Sequence, residues 1–234
     1  MGVLDGRLAL VTGASRGIGA ATAEALAAAG AHVILVARTS GGLEAVESRI
    51  HAAGGNATIA PLDLTDGESI GKLALAISGR WKALDVLVLN AAQLGSLAPV
   101  PHIDPKEFAK TLTLNLTAQQ ALIAAFDPML RASADARVIG LTSSVGRTPR
   151  AFWGGYGASK AAFEALLGAY AEEMRNIGRI KVAIVDPGAT ATKMRAKAYP
   201  GEDPATLKTP DIVAARILAL ATEEFETGTF TRVA

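Results

Sequence analysis

The sequence contains no cysteine, and its charges are few and nearly balanced. Without cysteine the 234 residues can form no disulfide, no thiolate nucleophile and no zinc–thiolate site, which fits a reducing compartment. Lysine and arginine number 23 against 22 aspartates and glutamates, and no long run of one sign occurs. Nucleic acid and anionic membranes are therefore not expected as partners. His32, His51 and His102 have no ligand spacing, so no metal site is expected.

Long hydrophobic runs are also missing. No apolar stretch reaches the ~18 residues that a membrane-spanning helix needs. The first fifteen residues lack the basic start and long apolar core of a signal peptide. Half of the residues are nevertheless hydrophobic and only 19% are charged, which is typical of a folded rather than a disordered chain. We therefore expect a soluble, cytoplasmic protein.

Several short segments are apolar at every position instead of alternating with polar residues. A strand with one face in water alternates, whereas a strand covered on both faces does not. These segments therefore predict a parallel sheet with helices on both faces. They are residues 8–11, 33–36, 86–89, 138–141 and 182–185.

Segments with helical periodicity separate these strands. In the first of them, Ile18, Ala21 and Ala25 recur at steps of three and four residues, which gives one apolar stripe. The β-α-β alternation predicts an α/β fold, a doubly wound parallel sheet (Rossmann fold) of about seven strands, formed as a single domain over residues 1–234. Residues 193–209 are polar and contain proline, which predicts a loop excursion beside the substrate. The predicted helices are 17–29, 41–53, 67–78, 105–131, 157–176 and 210–222, followed by a strand near 229–233.

A glycine-rich turn follows the first predicted strand and opens the first helix. Residues 12–19 read TGASRGIG, with glycine at 13, 17 and 19. Gly13 permits a tight turn, and Gly17 and Gly19 let a pyrophosphate approach backbone N–H groups at a helix N-terminus. The plainer alternative is a glycine turn without a ligand. The position between strand and helix favours dinucleotide binding.

With this GxxxGxG spacing the chain resembles the short-chain dehydrogenase/reductase family over nearly its whole length. Tyr156 and Lys160 match the YxxxK motif of that family, and Tyr156 lies thirteen residues after Ser143. Leu89 and Ala92 depart from the usual Asn-Asn-Ala-Gly motif, in which Asn90 is kept. The other matching positions, in chain order, are Asp63, Asn90, Ala91, Asn115, Pro187, Gly188, Thr190 and Thr192.

The resemblance implies a hydride transfer between a nicotinamide and a ketone or secondary alcohol. It assigns catalysis to Asn115, Ser143, Tyr156 and Lys160, with Tyr156 as general acid/base, Lys160 on the nicotinamide ribose and Asn115 supporting a proton relay. Tyr156 and Lys160 are one helical turn apart, so an ammonium beside the phenol is expected to lower the pKa of Tyr156. Ser143 would stabilise charge on the substrate oxygen. Two alternatives stay open: Ser144 in place of Ser143, and a purely structural Asn115 that ties helix to strand.

Two arginines decide the expected cofactor. The second strand ends at Ala37 and Arg38 without the acidic residue that accepts from the ribose of NAD. Arg16 and Arg38 offer guanidinium groups suited to a 2′-phosphate, so NADP(H) is predicted over NAD(H). The predicted cofactor-binding residues are Gly13, Ser15, Arg16, Gly17, Ile18, Gly19, Arg38, Thr39, Asp63, Leu64, Asn90, Ala91, Tyr156, Lys160, Pro187, Gly188, Thr190 and Thr192.

Two other function classes are weighed against an oxidoreductase with a small carbonyl or alcohol substrate. A cofactor-binding sensor or scaffold without turnover typically lacks the Tyr or the Lys, and both are present. An epimerase or dehydratase of the extended branch has a different glycine spacing. The aromatic and apolar residues near Tyr156, namely Phe152, Trp153, Met194 and Tyr199, suggest a partly hydrophobic substrate. The apolar stripe of residues 163–174 and the family both suggest a homodimer or homotetramer.

Overall fold

Seven parallel strands form one sheet in the computed structural model, which describes residues 2–234. In space the strands follow the order β3-β2-β1-β4-β5-β6-β7, and each neighbouring pair is parallel. The predicted doubly wound sheet is therefore confirmed. The strands are β1 (Leu8–Thr12), β2 (His32–Ala37), β3 (Asn56–Pro61), β4 (Val86–Leu89), β5 (Ala136–Leu141), β6 (Ile180–Asp186) and β7 (Thr229–Arg232).

Helices cover both faces of the sheet. Helices α1, α2 and α9 pack on one face through residues such as Leu26, Val46 and Ile217. Helices α3, α5 and α7 pack on the other face, for example through Phe126 and Phe163. The helices are α1 (Gly17–Ala28), α2 (Ser40–Ala52), α3 (Gly67–Ser78), α4 (Pro105–Leu112), α5 (Ala118–Ala132), α6 (Ser144–Arg147), α7 (Gly154–Arg175), α8 (Lys193–Ala198) and α9 (Pro210–Thr222).

The two layers of helices explain why the strands are apolar at every position. Along β1, Ala9 and Val11 belong to one core, and Leu8 and Leu10 belong to the core on the opposite face. All four side chains are at most 3% exposed. Each fully buried side chain of the size of leucine stabilises the fold by roughly 1.5–3 kcal/mol. A polar residue at any of these positions would therefore disturb one core or the other.

Some predicted boundaries differ from the observed ones. The single helix expected over 105–131 is divided by a π-helical segment, Thr113–Thr117, between α4 and α5. Helix α7 begins at Gly154, so Tyr156 lies in its first turn. The excursion 193–209 is not an irregular loop, because it contains α8 and a short 3-10 turn at Pro204–Thr206. Local hydrogen bonding and packing against the rest of the chain set these details, and apolar periodicity does not report them.

The strand order brings the loops after β1, β4, β5 and β6 to one edge of the sheet. The order of the strands reverses at β1: β2 and β3 lie on one side of it and β4 lies on the other, with Val11 paired with Val88. In open parallel sheets such a switch point leaves a crevice at the carboxyl ends of the strands. At Gly140 on β5, an added Cβ would lie 2.2 Å from Leu167 of α7, so this glycine allows α7 to sit close to the sheet. Tyr156 and Lys160 on α7 are thereby held at the crevice.

Candidate active site

The glycine turn after β1 has a left-handed backbone at two of its three glycines. Gly13 and Gly17 adopt φ values of 66° and 56°, a region that glycine enters without steric cost. Gly19 was expected to let a pyrophosphate approach the backbone, but it does not border the crevice. A Cβ at Gly19 would lie 2.3 Å from the carbonyl oxygen of Gly13 and 2.6 Å from Nδ2 of Asn90. Gly19 therefore lets α1 pack closely on the turn, whereas Gly17 borders the crevice.

Thr12 joins this turn to the loop after β4. Its buried hydroxyl donates to the carbonyl oxygen of Val88 at 3.1 Å and accepts from the backbone N–H groups of Asn90 and Ala91, each at 3.0 Å. The side-chain amide of Asn90 donates back to the carbonyl oxygen of Thr12 at 2.8 Å. Thr12 was not among the predicted site residues. Its one signal was a hydroxyl at the end of an otherwise apolar strand.

A cavity of about 1220 Å³ extends from the glycine turn to α7. Ala37, Leu62 and Gln93 also border it and were missed, because small, apolar or isolated amide side chains carry no recognisable pattern. Most of the predicted cofactor-binding residues border this cavity. They are Gly13, Ser15, Arg16, Gly17, Ile18, Arg38, Thr39, Leu64, Asn90, Ala91, Tyr156, Lys160, Pro187 and Thr192.

Three predicted cofactor-binding residues besides Gly19 do not border the large cavity. Asp63 is exposed, and its Oδ1 accepts from the N–H and hydroxyl of Thr65 at 2.9 and 2.8 Å, which lowers the pKa of Asp63. The neighbouring Leu64 borders the cavity instead. Thr190 is buried and donates to the carbonyl oxygen of Pro187 at 3.1 Å. Gly188 borders a smaller cavity.

Arg16 and Arg38 lie at one end of the large cavity. Both side chains are exposed, and neither has a carboxylate within ion-pair distance among the residues that the structure describes. Arg16 precedes α1, and Arg38 follows β2 directly. Two guanidinium groups without internal partners can bind a phosphate dianion at this end of the cavity.

Tyr156 lies at the other end, in an apolar cluster. Its side chain is 8% exposed and packs with Leu94 and Val145. The ring of Trp153 meets the ring of Tyr156 edge-on, with 6.0 Å between centroids. The phenol oxygen lies 3.9 Å from the sulfur of Met194, which places α8 directly over the hydroxyl.

The pKa of Tyr156 corrects the expectation drawn from Lys160. Burial, and secondly the negative charge of Asp186, raise the pKa of Tyr156 above its ordinary value, while a side-chain hydrogen bond with Ser143 opposes the change. The expectation of a lowered pKa was therefore wrong for this structure. The reason is the direction of the ammonium: Nζ of Lys160 donates to the carbonyl oxygen of Leu141 at 2.7 Å and lies 5.9 Å from the centre of the tyrosine ring. The phenol is held in its protonated form.

Asn115 occupies the π-helical segment between α4 and α5 and is fully buried. Its Oδ1 accepts from the backbone N–H of Gln93 at 2.9 Å, and its Nδ2 donates to the carbonyl oxygen of Gln93 and to the hydroxyl of Ser159. The side chain thus ties the helix to the loop after β4, as the structural alternative expected. A π-helical turn often marks a functional site because it displaces backbone carbonyls from their regular partners. The proton relay stays a prediction.

Ser143 ends β5 and immediately precedes α6. It borders a second cavity of about 200 Å³, together with Ser144, rather than the large one. Of the two serines, Ser143 lies close enough to Tyr156 to oppose the rise in its pKa. This contact favours Ser143 over Ser144 as the partner of the tyrosine.

Comparison with known proteins agrees with this arrangement. Residues 7–203 match the family described as short chain dehydrogenase. The uncharacterized oxidoreductase YciK of Escherichia coli (strain K12) is 38% identical over 211 residues, which cover 89% of this chain and 83% of that protein. The chain belongs to the short-chain dehydrogenase family. It is an oxidoreductase of that family.

Solved structures of short-chain dehydrogenases superpose closely on this one. The enzyme from Pseudomonas syringae has a TM-score of 0.96 at 36% identity, with 99% of this chain and 96% of that chain covered. A structure from Shigella flexneri 2a str. 301, described as complexed with NADP, has a TM-score of 0.93 at 36% identity, with 99% and 98% covered. The sheet, the helices and the position of the crevice are therefore those of the family.

Lys160 is buried in this short-chain dehydrogenase at an energetic cost that depends on pH. Its side chain is 3% exposed, and burial lowers its pKa to about 8, with the carboxylate of Glu164 opposing the change. In the unfolded chain the pKa is near 10.5. Below pH 8 both states are protonated and the full cost, roughly 3 kcal/mol, opposes folding. As the pH rises from 8 to 10.5 the unfolded state binds more protons than the folded state, so the cost disappears.

Replacing Lys160 with methionine should therefore change stability in a pH-dependent way. The variant loses the buried charge, and it also leaves the Leu141 carbonyl without its donor at every pH. We expect the unfolding free energy of Lys160→Met, relative to wild type, to fall by roughly 2–3 kcal/mol between pH 7 and pH 10. Urea unfolding of the cofactor-free proteins at both pH values measures this. The exposed Lys72 provides the control, since the unfolding free energy of Lys72→Met should differ from that of wild type by the same amount at pH 7 and pH 10. A difference for Lys160→Met that did not change with pH would contradict the prediction.

The apolar stripe on α7 gives no support to a dimer interface. Phe163, Leu167, Tyr170 and Met174 are at most 7% exposed because they pack against the sheet of their own chain. The hydroxyl of Tyr170 donates to Asp127 of α5 at 2.8 Å. These four side chains therefore offer little surface to a second subunit, and the homodimer or homotetramer stays a prediction.

Neither a membrane-spanning helix nor a metal-binding cluster occurs in this short-chain dehydrogenase over residues 2–234. No helix in that range is long and apolar enough to cross a bilayer. Likewise, the described side chains of His, Cys, Asp and Glu form no group of three or more that could hold a metal ion. The partly buried His32 hydrogen-bonds Thr58 at 2.9 Å, and burial lowers its pKa.

Proposed function

We propose that this chain is an NADP(H)-dependent oxidoreductase that transfers a hydride between the nicotinamide and a ketone or secondary alcohol, with Tyr156 as general acid/base. One observation carries the proposal. A single cavity borders Arg16 and Arg38 at one end and Tyr156 and Lys160 at the other. A dinucleotide phosphate and a reacting carbonyl require these two sets of groups at opposite ends of one site.

The residues around the cavity fit a phosphorylated dinucleotide. The absence of side chains at Gly13 and Gly17 leaves backbone N–H groups open at the start of α1, where the helix dipole favours a pyrophosphate. Arg16 and Arg38 would hold a 2′-phosphate, and no acidic side chain borders the cavity beside Ala37 to repel it. Related structures from Shigella flexneri and Escherichia coli are described as complexed with NADP and NADPH.

Each residue of the catalytic set has a separate task in the proposed reduction. NADPH, held by Arg16, Arg38 and the glycine turn, would supply the hydride for the carbonyl carbon. Tyr156, which burial keeps protonated, donates its proton to the carbonyl oxygen. Ser143 hydrogen-bonds the same oxygen and disperses the developing negative charge. Lys160 contributes a positive charge between the phenol and the cofactor side of the cavity, since it borders that cavity and is protonated below pH 8.

Binding and turnover test the proposal separately. Titration with NADPH and NADH should give a dissociation constant for NADPH at least about tenfold lower, because two guanidinium groups favour the extra phosphate. Oxidation of NADPH, followed at 340 nm with a panel of ketones and aldehydes, should depend on both protein and carbonyl compound. Tight NADPH binding without turnover across the panel would support the sensor or scaffold alternative. Absence of binding to either dinucleotide would refute both.

Other predictions about the whole protein follow from the family and remain to be tested. We propose a single domain over residues 1–234, a homodimer or homotetramer, and a cytoplasmic location. We also propose α8 and residues 199–209 as a cover over the substrate, because Met194 contacts the hydroxyl of Tyr156. Sedimentation analysis of the purified protein would measure the oligomeric state directly.

A further inference from the structure

The smaller cavity lies beside the residues that surround Tyr156. It has a volume of about 200 Å³ and borders Ser143, Val145 and Trp153. Trp153 and Tyr199 form an aromatic wall, with 5.7 Å between their ring centroids. Tyr156 itself borders the large cavity, and its ring meets that of Trp153, which borders the smaller one. A carbonyl compound bound between Ser143 and Tyr156 would therefore span the boundary between the two cavities.

Three arginines border this cavity, but two of them are already neutralised. Arg195 makes two short contacts with the carboxylate of Glu202, at 2.6 and 2.5 Å. Nε of Arg232 lies 3.6 Å from the carboxylate of Asp186. Asp186 borders the same cavity and is the one acidic residue to do so among residues 2–234.

Arg150 is the exception. Its Nη1 lies 3.4 Å from the neutral hydroxyl of Tyr199, and no carboxylate lies within 4 Å of it in the part of the chain that the structure describes. The side chain is exposed, so it can change rotamer to meet a ligand without breaking an ion pair. The cavity therefore holds one uncompensated positive charge.

We propose that the substrate is a small carbonyl compound with one carboxylate, and that Arg150 binds this carboxylate while the carbonyl group lies between Ser143 and Tyr156. The inference rests on the proposed oxidoreductase function and specifies its substrate class. A guanidinium presents two parallel N–H donors that match the two oxygens of a carboxylate. One free guanidinium matches a monoanion better than a phosphate dianion.

The size of the cavity limits the substrate further. Ligand pockets commonly have volumes of about 300–1,000 Å³, so 200 Å³ fits a short carbon chain. Trp153 and Tyr199 would cover that chain, which retains the partly hydrophobic character suggested by the sequence. An oxo acid of four or five carbons combines the anionic group, the short apolar chain and the reducible carbonyl.

Matched pairs of compounds test the role of the charge. The probes are 2-, 3- and 4-oxo acids of four or five carbons and their methyl esters, which differ in charge but keep the reducible carbonyl group, assayed with saturating NADPH. We expect kcat/KM to be about 10- to 100-fold higher for the acids, the range of a charge-assisted hydrogen-bonded pair. Arg150→Gln should remove this preference by raising KM for the acids alone, and Arg150→Lys should retain part of it. Arg80→Gln, which changes an exposed arginine outside both cavities, is the control.

Several results would overturn the inference. Equal kcat/KM for acids and esters would do so, as would an equal loss of both in Arg150→Gln. Hydroxyacetone phosphate and hydroxyacetone give the same comparison for a phosphate group. If the ratio of their kcat/KM values exceeded the ratio for the oxo acids and their esters, the site would be assigned to a phosphate instead. If no probe is reduced, calorimetric titration of the NADPH complex with butanoate and with butanamide tests the carboxylate site directly. Tighter binding of butanoate would support the site, and equal affinities would reject it. Failure of NADPH itself to bind would refute the proposed function. Calorimetric titration of the protein with NADPH alone detects this failure separately.

Discussion

Replacing Tyr156 with phenylalanine is expected to lower kcat for carbonyl reduction by about 10²- to 10⁴-fold, the usual contribution of a positioned general acid. Phenylalanine keeps the ring and its contacts with Trp153 and Val145 and removes only the hydroxyl. Burial holds this hydroxyl in its neutral, proton-donating form where it borders the large cavity. The phosphate end is distant along the cavity, so the dissociation constant for NADPH should change less than threefold.

The control for this variant is a second buried tyrosine on the same helix. Tyr170 also loses one hydroxyl in Tyr170→Phe, and with it a hydrogen bond to Asp127, but it borders neither cavity. Steady-state kinetics of both variants with NADPH and a reducible carbonyl compound give the comparison. If Tyr156→Phe retained more than about a tenth of wild-type kcat, another group would have to supply the proton.

Replacing Arg16 and Arg38 together with glutamine should raise KM for NADPH by about 100-fold or more and leave KM for NADH within about threefold. Each guanidinium can form charge-assisted hydrogen bonds worth about 1.5–3 kcal/mol with a phosphate, and exposure to solvent reduces that figure. Arg16, just before α1, and Arg38, just after β2, both border the large cavity and would act on the same phosphate. NADH lacks this phosphate, so its binding does not depend on them.

Measured KM values for both dinucleotides with each protein check the prediction. A double variant of two exposed arginines remote from the cavity, Arg49→Gln with Arg80→Gln, controls for the change in net charge. Equal effects of the Arg16 and Arg38 changes on NADPH and NADH would contradict the assignment of a 2′-phosphate site. The result would then point to a general role of the two arginines in the turn.

The fold was predictable because the sequence of each strand shows which of its residues are buried. Residues 8–11 are apolar at each position, and the structure buries them in two cores on opposite faces of the sheet. The motif TGASRGIG located the first turn, and the left-handed backbone of Gly13 and Gly17 follows from the absence of a side chain. Spacing along α7 placed Tyr156 and Lys160 on one helical turn.

Contacts between distant segments were not predictable in the same way. The helical periodicity of 105–131 gave no sign of the π-helical segment around Asn115, which depends on hydrogen bonds to Gln93 and Ser159. The polar stretch 193–209 gave no sign of α8, whose Met194 packs against Tyr156. In both cases the deciding partner lies far away in the chain.

The sequence by itself determined the parallel sheet, the glycine turn and the identities of the residues at the candidate site, because these depend on local backbone preferences and on periodic burial. Only the tertiary structure decided the protonation of those residues and the charge of the smaller cavity. Lys160 faces the Leu141 carbonyl and Asp186 acts on Tyr156, so burial and neighbouring charge raise a pKa that helical spacing alone suggested would fall. A pKa depends on desolvation and on charges brought together by folding, and neither can be counted along a chain.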